Sequence, residues 1–340
     1  MKLIKSMKAR MGLMAAGAIF ALSASALTGS ITAAEAVELK ATLFLPPNHL
    51  FTHELEAWSK ELQEKTGGEL KLSIFPSGQM GPPPRQFDLV RTGVADIGIA
   101  LTGMTPGRFP MTEVSNLPFV GKSSEETSKL MTELAPQFMQ EEMADVKLLE
   151  VVMMPPLKFH IGDKKLEKLE DFKGLRIRYA GRLFSESLKA FGATPVSVAP
   201  GEIVDGMNKG TIDGAMLPYE GAQSYQLDTV AKYSHQPGIS AASFVWIMNK
   251  DAYDKLPDNL KKAIDETSGA ETAARIGKII DQGEVTGVEH LKKSGVEIVD
   301  FSDAMLAEMR EASKGVIEEY LSSIESDGKH AHEFYDALTK

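Results

Sequence analysis

Residues 201–216, "GEIVDGMNKGTIDGAM", have an earlier counterpart in residues 85–99, "RQFDLVRTGVADIGI". Each reads as a short helix stopped by a glycine (Gly210, Gly93), then an aspartate opening a strand of small and apolar residues. Working outward, "TPVSV" (194–198) and "IDGAMLP" (212–218) flank the later helix as strands, and "LKLSIFP" (70–76) and "VADIGIAL" (94–101) flank the earlier one. Strand–helix–strand units at two places predict two similar α/β lobes built on parallel sheets. A cleft between such lobes places ligands beyond the carboxyl ends of the strands and closes by a hinge.

The rest of the chain fits this plan. "HLFTHELEAWSKELQEKTGG" (49–68) has an amphipathic period and a Gly67-Gly68 stop. A very long helical pattern over residues 259–293, interrupted by glycines, has the length to lie across both lobes. A further helix is expected from Asp303 to about Ile324, followed by a polar tail.

With 340 residues the chain exceeds one typical core, and 43% hydrophobic with 25% charged residues excludes a disordered or fibrous class. A formal net charge of −10 argues against nucleic acid or an anionic membrane surface as partner. The first residues, "MKLIKSMKARM", carry four cations and no acid; an Ala-rich apolar run to Leu27 and "AEA" at 34–36 follow. This is the layout of a secretory signal peptide cleaved after Ala36, with too short an apolar run for a membrane span. There is no cysteine, so disulfides, thiol catalysis and cysteine–zinc sites are excluded.

No enzyme motif stands out. His49 and His53 lie four apart, but the glutamate follows the second histidine, unlike H-E-x-x-H, so a solvated helix start is the expected role. His330 and His332 sit in the tail. No G-x-S-x-G, P-loop or dinucleotide fingerprint occurs, and neither metal nor cofactor is expected. In "GLRIRY" (174–179), alternation puts Arg176 and Arg178 on one strand face and cannot separate their roles.

Four stretches carry a resemblance to a known family: "LKLSIFPSGQMG", "VRTGVADIGI" with "LPFV" after it, "DFKGLRIRYAG", and "FGATPVSVAPGEIVDGMNKGTIDGAMLP". "NKDAYDKLPDNLKKAI" extends it. In order and spacing the chain resembles the solute-binding proteins of tripartite ATP-independent periplasmic (TRAP) transporters, over nearly all of the residues after 36. The resemblance implies a periplasmic binding protein fold of two lobes, a ligand cleft and a long interdomain helix. It assigns 37–155 and 244–283 to lobe I, 156–243 and 284–325 to lobe II, and 326–340 to a polar tail. It further implies a monomeric periplasmic binder of a small organic anion, not an enzyme, serving a permease with one small and one large integral membrane subunit.

Carried over residue by residue, the family's carboxylate-binding arginine falls on Arg178, and Arg176 takes the solvated position. A planar guanidinium matches both oxygens of a carboxylate. Lys158, twenty residues earlier, matches a second cationic position, and is equally readable as a solvated strand residue. Phe44, Leu101, Met104 and Leu217 occupy positions where relatives with polar ligands carry polar groups, which points to a monocarboxylate with an apolar or aromatic body. The same four residues read equally as core. Tyr219 and Glu220 are candidates for a hydroxyl and an acceptor; Arg108 is a weaker one. A polar carboxylate or sulfonate ligand, another importer or a sensor as partner, and an exported enzyme are the alternatives.

Overall fold

The structure, a computed structural model, describes residues 36–340. The leader expected over residues 1–36 lies, Ala36 apart, outside the described residues. Among the described residues no helix is long and apolar enough to cross a membrane.

Two mixed sheets organise the chain, one per lobe. The first contains β1 (Val37–Thr42), β2 (Leu70–Phe75), β3 (Ile97–Leu101), β4 (Val146–Met153) and, returning late, β10 (Ser243–Asn249), in the order β2-β1-β3-β10-β4. The second contains β5 (Lys158–Ile161), β6 (Arg176–Arg178), β7 (Thr194–Val196), β8 (Gly214–Leu217), β9 (Tyr233–Gln236) and β11 (Glu297–Asp300), in the order β11-β9-β5-β8-β6-β7. The parallel sheets expected from the sequence are only partly realised. β10 runs antiparallel to both β3 and β4, and β5 runs antiparallel to β8 and β9. Each of these strands follows a short link from the other sheet, residues 154–157 from β4 to β5 and 237–242 from β9 to β10.

The internal repeat has a structural meaning. Asp96 precedes β3 and accepts the Lys40 backbone N–H of the parallel strand β1 at 2.7 Å. Asp213 precedes β8 and accepts the Arg176 N–H of the parallel strand β6, also at 2.7 Å. In both lobes the aspartate thus extends a strand pair by one hydrogen bond where the ladder begins. The glycines that follow are needed for close packing: a Cβ on Gly98 would meet Val90 at 2.5 Å, and one on Gly214 would meet the His160 carbonyl at 2.5 Å.

The long helical pattern breaks at Gly269 (φ 95°), giving helices Asp258–Glu266 and Ala270–Lys293. The second of these bridges the lobes. A Cβ on Gly277 would collide with Ser124 of the first lobe at 2.4 Å, and one on Gly287 with Tyr219 of the second at 2.6 Å. Its interior glycines, costly to a helix in isolation, therefore mark where it presses on each lobe. Asp281 on the same helix accepts the Ser124 and Glu125 N–H groups, meeting the positive N-terminus of helix Ser124–Phe138.

Two expectations for the C-terminal region change. Helix Asp303–Glu325 starts in the second lobe, where Met305 and Met309 pack in the cluster of Phe159 and Phe172. It ends against the first lobe, with Tyr320, Leu321 and Ile324 among Phe87, Phe109 and Val151. The tail is not a polar extension: helix Ala331–Thr339 buries Ala331, Phe334 and Leu338, and Phe334 stacks on Phe138 at 4.7 Å. Phe334 and Leu338, four residues apart, share one helix face.

Candidate ligand-binding site

At the carboxyl ends of β3, β6 and β8 the lobes face each other across a small cavity with about 50 Å³ of free volume. That is several times what one water needs. Phe44, Leu45, Leu101 and Phe244 come from the first lobe, and Leu157, Ala180 and Leu217 from the second. Aromatic packing fixes one wall: Phe44 and Phe244 lie nearly parallel at 6.3 Å, and Phe51 meets Phe244 edge-on at 5.0 Å. The polar side chains on the cavity are Arg178, His49 and Tyr225.

Arg178 is 1% exposed, at the last position of β6. Its Nε donates to the Val198 carbonyl at 3.1 Å and its Nη1 reaches the Met216 carbonyl at 3.4 Å. Among the described residues no carboxylate pairs with it. Burial pushes its pKa down to about 10, only partly opposed by the nearby Tyr225. It still carries its charge at neutral pH, so a desolvated cation stands at a mostly apolar cavity, an arrangement that favours an anion strongly.

Arg176, two residues earlier, is committed elsewhere. It is partly exposed and forms a fork with Asp213, Nε to Oδ2 at 3.0 Å and Nη2 to Oδ1 at 2.6 Å. The hydrogen bonds and charge of Asp213 raise its pKa further. The aspartate that starts β8 therefore neutralises one arginine of the pair and leaves the other for the cavity.

The remaining sequence candidates divide. Phe44, Leu101 and Leu217 line the cavity. Met104 lines a separate opening of about 580 Å³ between the lobes, beside Pro82–Pro84 and Tyr179. Lys158 is drawn away: its ammonium pairs with Glu284 on the bridging helix and lies 4.9 Å from the centre of the Tyr219 ring. Tyr219 donates its hydroxyl to Gln236 at 2.8 Å and does not line the cavity. Glu220 lines an outer polar opening of about 600 Å³, yet its Oε2 is buried beside His49. Arg108 pairs with Asp145 at 3.1 Å over the Phe87 ring and is not among the residues lining the cavity. His160 is buried, with its nitrogens at 3.0 Å from the Leu217 carbonyl and from Ser234; burial pushes its pKa down to about 3, so it is a neutral structural group.

Among the lining residues that the sequence reading did not place at the site are His49, Tyr225 and Phe244. His49 is not a solvated helix start. It caps helix Leu50–Lys65, its Nδ1 accepting the Phe51 N–H at 3.1 Å, and it is buried. A polar residue immediately before the helical period was the signal for that cap. Tyr225, at the end of helix Tyr219–Ser224, has its hydroxyl pKa raised by burial. Among the described residues no group of three or more histidine and acidic side chains is arranged to hold a metal.

Two α/β lobes, a chain that passes between them, and a cavity at the facing strand ends define a two-lobed solute-binding protein. The chain belongs to the bacterial extracellular solute-binding protein family 7, whose profile matches residues 42–323, and so to the solute-binding proteins of TRAP transporters. These are transport binding proteins, not enzymes. A TRAP solute-binding protein of an unidentified marine microbe, specific for aromatic acid ligands and crystallised with 3-hydroxybenzoate, superposes with a TM-score of 0.86 at 31% identity. The match covers 89% of this chain and 97% of that one. One from Rhodoferax ferrireducens with copurified benzoate gives 0.86 at 28% identity, covering 89% and 96% of the two chains. One from Bordetella bronchiseptica with bound (R)- and (S)-mandelate gives 0.83 at 26%, covering 89% and 98%.

Proposed function

We propose that this protein captures a small monocarboxylate with an apolar or aromatic body between its lobes and delivers it to a TRAP permease of one small and one large membrane subunit. The observation that carries the reading is Arg178, a buried cation with two backbone carbonyls and no acidic partner among the described residues. A carboxylate supplies the missing charge and two oxygens matched to the guanidinium fork. The apolar lining and the small free volume favour a compact, mostly hydrocarbon ligand over a sugar acid. Three structural relatives hold benzoate, 3-hydroxybenzoate and mandelate, all acids of this description. Capture in the periplasm follows from the export signal read in residues 1–36.

The test is calorimetric titration with benzoate, phenylacetate, benzenesulfonate, succinate and glucuronate. Benzoate or phenylacetate is expected to bind at least tenfold more tightly than succinate or glucuronate. Equal or tighter binding of the dicarboxylate or sugar acid refutes the apolar-acid assignment. Absence of binding by every acid refutes the carboxylate role.

A further inference from the structure

His49, on the cavity wall, and Glu220, on the neighbouring outer opening, form a donor–acceptor pair that the carboxylate anchor does not use. Because His49 Nδ1 accepts the Phe51 N–H, the ring proton resides on Nε2. Burial lowers the His49 pKa and keeps the ring neutral, against the opposing charge of Glu220. Nε2 lies 3.5 Å from Glu220 Oε2, at the outer limit of a hydrogen bond. Glu220 is 7% exposed, and Oε2 is a buried oxygen without a hydrogen-bond partner among the described residues.

The glutamate is held in place from both ends. Its Oε1 accepts the Ser224 hydroxyl at 2.8 Å, and its backbone N–H donates to Glu284 Oε1 at 2.9 Å. Two points 3.5 Å apart leave an apex about 2.8 Å from each, the ordinary length of an O–H···O contact. A hydroxyl at that apex accepts from His49 Nε2–H and donates to Glu220 Oε2, which a methyl, a fluorine or an ether oxygen cannot do. The pair also joins the lobes, since His49 caps a helix of the first and Glu220 belongs to helix Tyr219–Ser224 of the second.

We propose that the His49–Glu220 pair reads a hydroxyl substituent on the ligand, making the protein selective for hydroxylated aromatic monocarboxylates over their unsubstituted parents. This rests on the reading of Arg178 as carboxylate anchor, and adds a second polar contact to the ligand. A site that hydrogen-bonds a hydroxyl discriminates against the analogue lacking it, because its own polar groups then remain buried and unpaired.

The experiment compares Kd values for benzoate, the three hydroxybenzoates and the three matching fluorobenzoates by calorimetry. At least one hydroxy isomer is expected to bind ~10-fold or more tightly than its fluoro analogue, which matches it in size but cannot donate. His49→Asn keeps an oxygen to cap the helix and removes Nε2–H; Glu220→Met removes the acceptor. Each is expected to reduce the hydroxy-to-fluoro ratio to within about twofold, the ratio cancelling any loss of affinity common to all the benzoates. A wild-type ratio below about threefold at every ring position, with benzoate bound, overturns this inference alone. So does a ratio that survives both substitutions. If no benzoate of any kind binds, the anchor reading falls with it.

Discussion

Replacing Arg178 by methionine separates a binding role from a structural one, because the two predict opposite effects on the ligand-free protein. The guanidinium pKa is pushed down to about 10 by burial. Against an ordinary arginine near 12.5 this corresponds to about 3 kcal/mol of destabilisation of the charged form in the folded state. Because the folded pKa of this base is depressed, the penalty is present in full at neutral pH. Methionine removes it, and also removes contacts to the Val198 and Met216 carbonyls, each worth about 1 kcal/mol. The ligand-free variant is therefore expected to be as stable as the wild type or ~1 kcal/mol more so. Binding behaves in the opposite way. Losing one partner of a desolvated charge pair costs about 2–5 kcal/mol, a Kd increase of at least ~30-fold. In a thermal-shift assay with benzoate at 100 times the wild-type Kd, the wild type gains about 2.7 kcal/mol of apparent stability. The variant is expected to gain under ~0.9 kcal/mol at the same concentration, with an unshifted or higher ligand-free midpoint. A ligand-free form destabilised by more than ~2 kcal/mol, or a Kd within threefold of the wild type, refutes the reasoning.

Arg176→Ala is expected to leave benzoate affinity within twofold by calorimetry, since its fork is spent on Asp213; a loss comparable to that of Arg178→Met refutes the division of labour between them. Leu217→Asn places an amide on the cavity wall and is expected to weaken benzoate binding by ~10-fold, read in the same titration. Glu150, buried in β4, has its pKa raised to about 8 by burial, opposed by the Gly269 N–H and by Arg275. The folded state thus holds a proton that the unfolded state loses above about pH 4.5, so stability falls as pH rises toward 8, by up to ~1.4 kcal/mol per pH unit. Glu150→Gln is expected to flatten that slope in urea unfolding at pH 5, 6.5 and 8. An unchanged slope refutes the assignment.

The sequence was most legible where local chemistry recurs. Both helix–glycine–aspartate–strand units form, and each aspartate does the same job, accepting an N–H of the parallel neighbour strand one residue before the pairing begins. The antiparallel β10 was not legible, because a run of buried residues such as Ser243–Asn249 carries no direction, and its direction is set by which lobe the chain leaves. The C-terminal helix was hidden by charged residues that surround a narrow stripe of Ala331, Phe334 and Leu338. His49 looked solvated because its neighbours include His53 and Glu54; in the fold it caps the helix and is buried, with its ring beside Phe51 and Glu220.

Period and composition alone determine an α/β chain of two related halves with no disulfide, and motif order places it among TRAP solute-binding proteins. Alternation along β6 could say only that Arg176 and Arg178 share a face. Tertiary structure decides between them, through Asp213, 37 residues away, which neutralises the first and leaves the second buried at the cavity. The same holds for Lys158, whose charge is met by Glu284, 126 residues away. Whether a side chain's charge is free or spent depends on partners brought together from distant segments, and local pattern carries no information about those partners.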